Sequence, residues 1–231
     1  MKKQNAVVIA LLLMCLAYVV VVALTERVSW DTTVPPGREQ RAALALRDNV
    51  TPFQKWGSKI STVQYLNRYY DAAWYFTQSR ADDQEKAFLT CLDKALERYP
   101  QVDLFLLAHS NKVIAWVAKL PVERRSRIRL VYNTGCWNLV QAPQWLALGA
   151  KAYVGHPGTS ASSVFYFYFL RRWTRGQCIQ GALVESNDLM RRQFRRGARF
   201  SLGWWNAAKL MQHSEARCYG DRSLRLEDCR K

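Results

Sequence analysis

Acidic side chains are scarce in this chain: 18 Asp and Glu stand against 34 Lys and Arg, a formal net charge of +16 over 231 residues. So basic a surface suits anionic partners, namely lipid head groups, envelope polysaccharide or nucleic acid. Helix-turn-helix patterning, paired zinc spacing and RNA-binding signatures are missing, which ranks nucleic acid behind the other two. Histidine is also scarce, three in all, and neither Cys-x-x-Cys nor His-Glu-x-x-His occurs. Zinc folds and zinc hydrolysis are thereby set aside, and neither a metal nor any other cofactor is expected. Long apolar runs are limited to one, and no small-x-small cleavage pattern follows it.

That run, residues 6–24, is long enough at helical rise to span a bilayer and longer than the apolar part of a secretory signal. Lys2 and Lys3 precede it, which places the N-terminus in the cytoplasm and sends the rest across. Residues 1–27 therefore read as an uncleaved signal-anchor, a single-pass transmembrane helix in the cytoplasmic membrane. Residues 28–37 read as a linker, marked by Pro35 and Pro36. Residues 38–231 then form one extracytoplasmic, periplasmic α/β domain, and 49% hydrophobic residues are enough to fill its core. A lipoprotein reading at Cys15 is poor, because Met14 stands where a small residue is needed.

Within the domain, residues 38–48 are helix-compatible, and residues 61–78 concentrate aromatics suited to packing: Tyr65, Tyr69, Tyr70, Trp74, Tyr75 and Phe76. A helix over 82–98 starts at Asp82 or Asp83 as cap, carries Glu85 in its first turn, and aligns Phe88, Leu89, Leu92 and Leu96 on one face. Further on come a short helix at 143–148 ended by Gly149, a strand at 152–154, and a helix at 163–175 so apolar that it must be buried. Helices at 179–196 and 204–213 follow. Arginine gathers at Arg124, Arg125, Arg127 and Arg129, and again at Arg191, Arg192, Arg195, Arg196 and Arg199. The second group is either a solvated helix face or a contact for anionic lipid or polysaccharide.

Residues 102–138 hold the chemistry. Two short apolar runs, 102–108 and 128–132, flank a segment, 111–119, whose Val113, Ile114, Trp116 and Val117 have one-sided helical spacing. A strand, helix, strand unit of this length fits a parallel crossover, which brings both strands' C-terminal ends to one sheet edge. The first run delivers His109; the second delivers Cys136 after Asn133, Thr134 and Gly135. Open parallel sheets carry their sites at that edge, and an imidazole beside a thiol is a base and nucleophile pair. The plain alternative is a buried structural Cys and a hydrogen-bonded surface His. His156, also at a strand end, is the reserve base.

The pieces LLAHS and YNTGC, an apolar strand then His and an apolar strand then Gly-Cys, resemble the caspase-like cysteine peptidases, the group of caspases, gingipains, clostripain and legumain. LALGAKAYVGHPG at 146–158 is similar to the segment that follows the Cys in gingipain-like domains. CYGDRSLRL at 218–226 resembles their ending, with Arg222 where that pattern has Pro. The likeness covers roughly residues 83–226. It implies a three-layer caspase-like sandwich with a mainly parallel sheet, cleavage of a polypeptide substrate by a His109–Cys136 dyad, and an oxyanion site made by the backbone N–H groups of Ser110 and Cys136. Ser110 stands where the family has Gly, so a catalytically inactive module that binds or scaffolds an envelope protein partner is the alternative.

Six cysteines are present, and Cys15 lies in the apolar run. An exported domain favours disulfides. Cys218 and Cys229 bracket a polar C-terminal loop and are expected to pair; Cys91 and Cys178 can join only if their helices share a sheet face. Cys136 is then the thiol left free.

Overall fold

Short apolar runs without alternation suit strands buried on both faces, and both runs are strands in the computed structural model. It describes residues 34–48, 59, 62–63, 66–79, 83–109, 111–200 and 206–228, together with Leu13 and Leu16. Two units divide the chain, Met1–Thr33 and Val34–Lys231. Of the first only Leu13 and Leu16 are described, both helical, so the anchor expected over 6–24 otherwise lies outside the described residues. Among the described residues no helix is long and apolar enough to cross a membrane.

The second unit is built on six strands: β1 (Arg41–Arg47), β2 (Ala72–Thr77), β3 (Gln101–Leu107), β4 (Ile128–Asn133), β5 (Ala152–Gly155) and β6 (Arg217–Gly220). They lie in the order β2-β1-β3-β4-β5-β6. Pairing is parallel from β2 through β5, and β6 adds antiparallel to β5. Leu44 sits between Trp74 and Leu104 in register. The helices are α1 (Glu85–Arg98), α2 (Lys112–Val117), α3 (Val122–Arg125), α4 (Ala142–Ala147), α5 (Ser162–Trp173), α6 (Ile179–Phe200) and α7 (Ala207–Ser214). Asp83 serves α1 from just outside it, its carboxylate accepting from the Glu85 N–H at 3.1 Å.

One face of the sheet presents Ala42, Leu44, Leu46, Val102, Leu104, Leu106 and Val131, which pack with Phe88, Leu92 and Leu96 of α1, Val113 and Trp116 of α2, and Trp145 of α4. The other face carries Phe105 and Tyr132. Phe105 meets Tyr70 edge-on at 6.2 Å, and Tyr132 meets Phe169 of α5 edge-on at 4.7 Å. α6 packs on α5 and α7. The arrangement is a three-layer α/β sandwich with a mainly parallel sheet.

Three expectations are corrected. Residues 38–48 are not a helix: after one 3-10 turn (Arg38–Gln40) they form β1, every residue of which is buried. RAALALR is made of strong helix formers, but a strand there buries seven residues between β2 and β3, and tertiary burial overrides local propensity. Cys218, read as one end of a polar loop closed by Cys229, stands on a strand, β6. Its pairing sets Cys218 opposite Val154, and Cys218 is a buried free thiol rather than half of a bridge to Cys229, which lies outside the described residues. Cys91 and Cys178 are free as well. Cys91 sits on α1, on one sheet face, while Cys178 precedes α6 on the other, so the condition for joining them fails.

The first arginine group is also put to structural use. Arg124 pairs with Glu97 at 2.9 Å and Arg127 donates to the carbonyls of Leu96 and Glu97, tying the approach to β4 onto the end of α1. Arg129 is buried, 1% exposed, and ion-paired with Asp103. In the second group Arg191 pairs with Asp188 and Glu215, while Arg192, Arg195, Arg196 and Arg199 are exposed on α6.

Candidate functional site

β3 and β4 are hydrogen-bonded parallel neighbours, so His109 and Cys136 emerge at the same edge. Beyond the last ladder pair the two chains stay together. Thr134 N–H donates to the Leu106 carbonyl at 2.7 Å, and the Ala108 N–H donates to Asn133 Oδ1 at 3.2 Å. Gly135 then presses on Ala108: a Cβ at position 135 would run into the Ala108 carbonyl oxygen. Glycine is required there by space. His109 and Cys136 are the residues next after this contact on their own chains, each one Cα step, about 3.8 Å, from it.

Side-chain amides hold the turn. Asn133 Oδ1 accepts from the Gly135 N–H at 3.0 Å, and Asn138 Nδ2 donates to the carbonyls of Asn133 and Gly135 at 2.9 and 2.7 Å. Asn138 Oδ1 in turn accepts from the His156 N–H at 2.9 Å. Asn133 donates to Gln141, and Gln141 to Asn111, so the start of α2 and the turn share one hydrogen-bonded network. In such a setting the amides of Thr134, Gly135 and Trp137 all have acceptors, Trp137 giving its own to the Gly158 carbonyl at 3.0 Å.

Cys136 is half-buried and His109 exposed. The Ser160 N–H donates to Cys136 Sγ at 3.4 Å, fixing the thiol toward the loop after β5. Burial pushes the thiols of Cys91 and Cys218 up to about 11 and about 12, so these two are protonated and inert at neutral pH. Ser110, the second expected oxyanion donor, lies outside the described residues.

His156 is placed in the core rather than at the edge. It is fully buried, stacked on Tyr132 at 6.0 Å, and its Nδ1–H donates to the Ser214 carbonyl at 2.8 Å. Burial pushes its imidazole down to about 4, against the weaker upward pull of that carbonyl. It is a neutral structural residue at pH 7.

Sequence reading missed the wall on the far side of Cys136. Trp137, one residue beyond the thiol, has φ +57, a left-handed conformation that a bulky residue rarely adopts, and its ring meets His213 of α7 edge-on at 5.6 Å. Gly158 donates to the His213 carbonyl at 2.9 Å, and a Cβ on Gly158 would strike the His213 ring. Ser214 closes the loop, its hydroxyl donating to the Thr159 carbonyl and accepting from the Ala161 N–H. Nothing local in the sequence marks His213, which stands on an ordinary short helix. Among the described residues no cluster of His, Cys, Asp and Glu could hold a metal ion.

No family model and no curated protein matches the chain. Among solved structures, caspase-1 from Spodoptera frugiperda is similar at a TM-score of 0.49 and 8% identity, over 79% of this chain and 87% of that one. A likeness of that size leaves the family open and says nothing of chemistry.

Proposed function

We propose that the unit after residue 33 is a cysteine peptidase-type hydrolase acting on polypeptide, held at the outer face of the cytoplasmic membrane by residues 1–27. The observation that supports the reading is the Ala108–Gly135 contact, which holds together, at the C-terminal edge of a parallel sheet, the two strand ends that carry His109 and Cys136. His109 takes the thiol proton and Cys136 Sγ attacks the carbonyl carbon of the peptide. The oxyanion is met by the Cys136 N–H and, in this reading, that of Ser110. Collapse expels the amine, which takes its proton from the His109 imidazolium, and water then releases the acyl group from sulfur. The exposed Arg192, Arg195, Arg196 and Arg199 supply the contact to anionic lipid at the membrane surface.

Hydrolysis of a peptide pool by the full-length chain tests this. Cys136→Ala should abolish cleavage, and His109→Ala should lower kcat/KM by about 10²–10⁴-fold; undiminished cleavage by Cys136→Ala overturns the reading. A binding module without catalysis is the second reading, favoured by Ser110 in the place where the resembled family has Gly. If wild type cleaves nothing while Cys136 alkylates readily, and Ser110→Gly gains cleavage, the oxyanion turn is the part that has been lost.

A further inference from the structure

Trp137 is 60% exposed, and it directly follows the candidate nucleophile in sequence. A surface tryptophan is uncommon, since the ring carries a large apolar area that burial stabilises. Here it is also held in a backbone conformation that costs about 1–3 kcal/mol for a bulky side chain. The surroundings keep it there: the backbone N–H of Trp137 donates to the Gly158 carbonyl and its ring meets that of His213 edge to face. Strain maintained in order to leave an aromatic face uncovered points to something that covers it.

Two further large apolar side chains, on the segments that flank Trp137 and His213, are exposed. Val140, three residues on, is 79% exposed, and Leu210, one helical turn before His213 on α7, is 37% exposed. Charge is absent to an unusual degree. In a chain where 23% of residues are charged, the whole stretch from Asn133 to Leu170 holds one formally charged residue, Lys151. That lysine directly precedes β5, at the opposite edge of the parallel sheet from Cys136. A charged side chain leaving water at the Cys136 edge would find no counter-charge from the Cys turn or the β5 loop, and uncompensated burial of charge is heavily disfavoured. An apolar or aromatic side chain would instead gain burial and ring contact.

We propose that this edge selects polypeptide substrates with a large apolar, preferably aromatic, residue next to the reacting carbonyl, and that Trp137 is the side chain that reads it. The assignment rests on the hydrolase reading above and names its substrate class. His213 acts through Trp137 as a positioning residue.

The test uses peptidyl acyloxymethyl ketones on the full-length chain in detergent, identical except for Phe, Leu, Asp or Arg beside the ketone. Cys136 Sγ displaces the carboxylate from the methylene carbon, forming a thioether, and the adduct is located by peptide mapping. The Phe reagent should label Cys136 at least about tenfold faster than the Asp or Arg reagent, with Leu closer to Phe. Trp137→Ala should bring the Phe to Arg rate ratio near one, Trp137→Phe should keep it, and Val140→Lys, on a highly exposed position, should lower it. The ratio is taken within one preparation, so a variant with a reduced folded fraction still reports.

Equal rates, a preference for Asp or Arg, or a ratio unmoved by Trp137→Ala overturns the assignment and leaves the hydrolase reading standing. Failure of every ketone to label Cys136 overturns the hydrolase reading and this assignment with it.

Discussion

Three imidazoles occur in the chain, and their surroundings give them different roles. His109 is exposed at the edge, His213 is half-buried against an exposed indole, and His156 is sealed beneath the loop that both sides of the site share. The last has a consequence for stability. Its folded value of about 4 lies below the ordinary 6.5, so between those limits the unfolded chain binds the proton more readily. Above pH 6.5 both states are neutral there and the full contribution is present; as pH falls it is lost, down to about pH 4, where the loss is complete. The gap corresponds to about 3 kcal/mol. Urea midpoints measured from pH 7 to pH 4 should therefore fall more steeply for the wild type than for His156→Gln, with the difference confined to that window. Parallel pH profiles would show that His156 protonates as easily in the fold as out of it. Carboxylates titrate in both proteins, and comparing the two removes their part.

At the scale of elements, the site depends on the junction beyond β3 and β4 more than on either strand. Gly135→Ala puts a methyl group into the Ala108 carbonyl, and relief requires the two strand ends to spread. Overpacking of this kind costs about 1–3 kcal/mol. On the proposed hydrolase reading, hydrolysis should suffer out of proportion, by about 10²-fold, because the displaced strand ends carry the pair proposed to react; a variant that loses stability but retains kcat/KM would show that the contact does not set the geometry. The strands on either side of that junction were legible because VDLFLLA and IRLVY are unbroken apolar runs with turn residues after them. β1 was not, since Ala, Leu and Arg favour helix and only neighbours 30 to 60 residues away make RAALALR a strand. β2, within AAWYFT, showed as aromatic content without a partner to define its register, and the four residues of β6 exist only through pairing with β5. That His109 and Cys136 follow two neighbouring strands at one edge was readable because each closes a legible strand. Asn133, Asn138 and Gln141 were hidden because buried amides in a turn have the same letters as solvated ones, and His213 because a distant helix brings it in.

Across the whole unit, the edge opposite Cys136 is closed by a buried polar clasp that joins the two ends of the chain segment. Asp103 on β3 meets Arg129 on β4 through both its oxygens, at 2.9 and 2.5 Å, and both side chains are essentially inaccessible. Tyr70 donates to the same carboxylate at 2.6 Å and accepts from the Trp173 indole at 3.0 Å; burial and then the Asp103 charge push its phenol well up. Arg129 also reaches Gln101 Oε1 and the Leu226 carbonyl, at 2.6 and 2.8 Å. Arg41 Nη1 donates to that same carbonyl at 2.8 Å and to the Pro36 carbonyl, while its Nη2 and Nε donate to the carbonyls of Pro35 and Tyr69. The entry at Pro35 and the exit at Leu226 are thereby fastened at one place. Removing one member strands the other: Arg129→Met leaves a buried carboxylate without its cation and should cost about 3–5 kcal/mol, as should Asp103→Leu, whereas the double replacement should recover most of that loss. Denaturant unfolding of the four proteins gives the coupling directly, and additive losses would mean that the pair is not the unit of stability. Because the clasp lies at the far sheet edge, the variants that remain folded should keep the wild-type rate of Cys136 alkylation. A rate that falls with stability would instead show that closing the chain ends at one edge also sets the geometry of the thiol at the other.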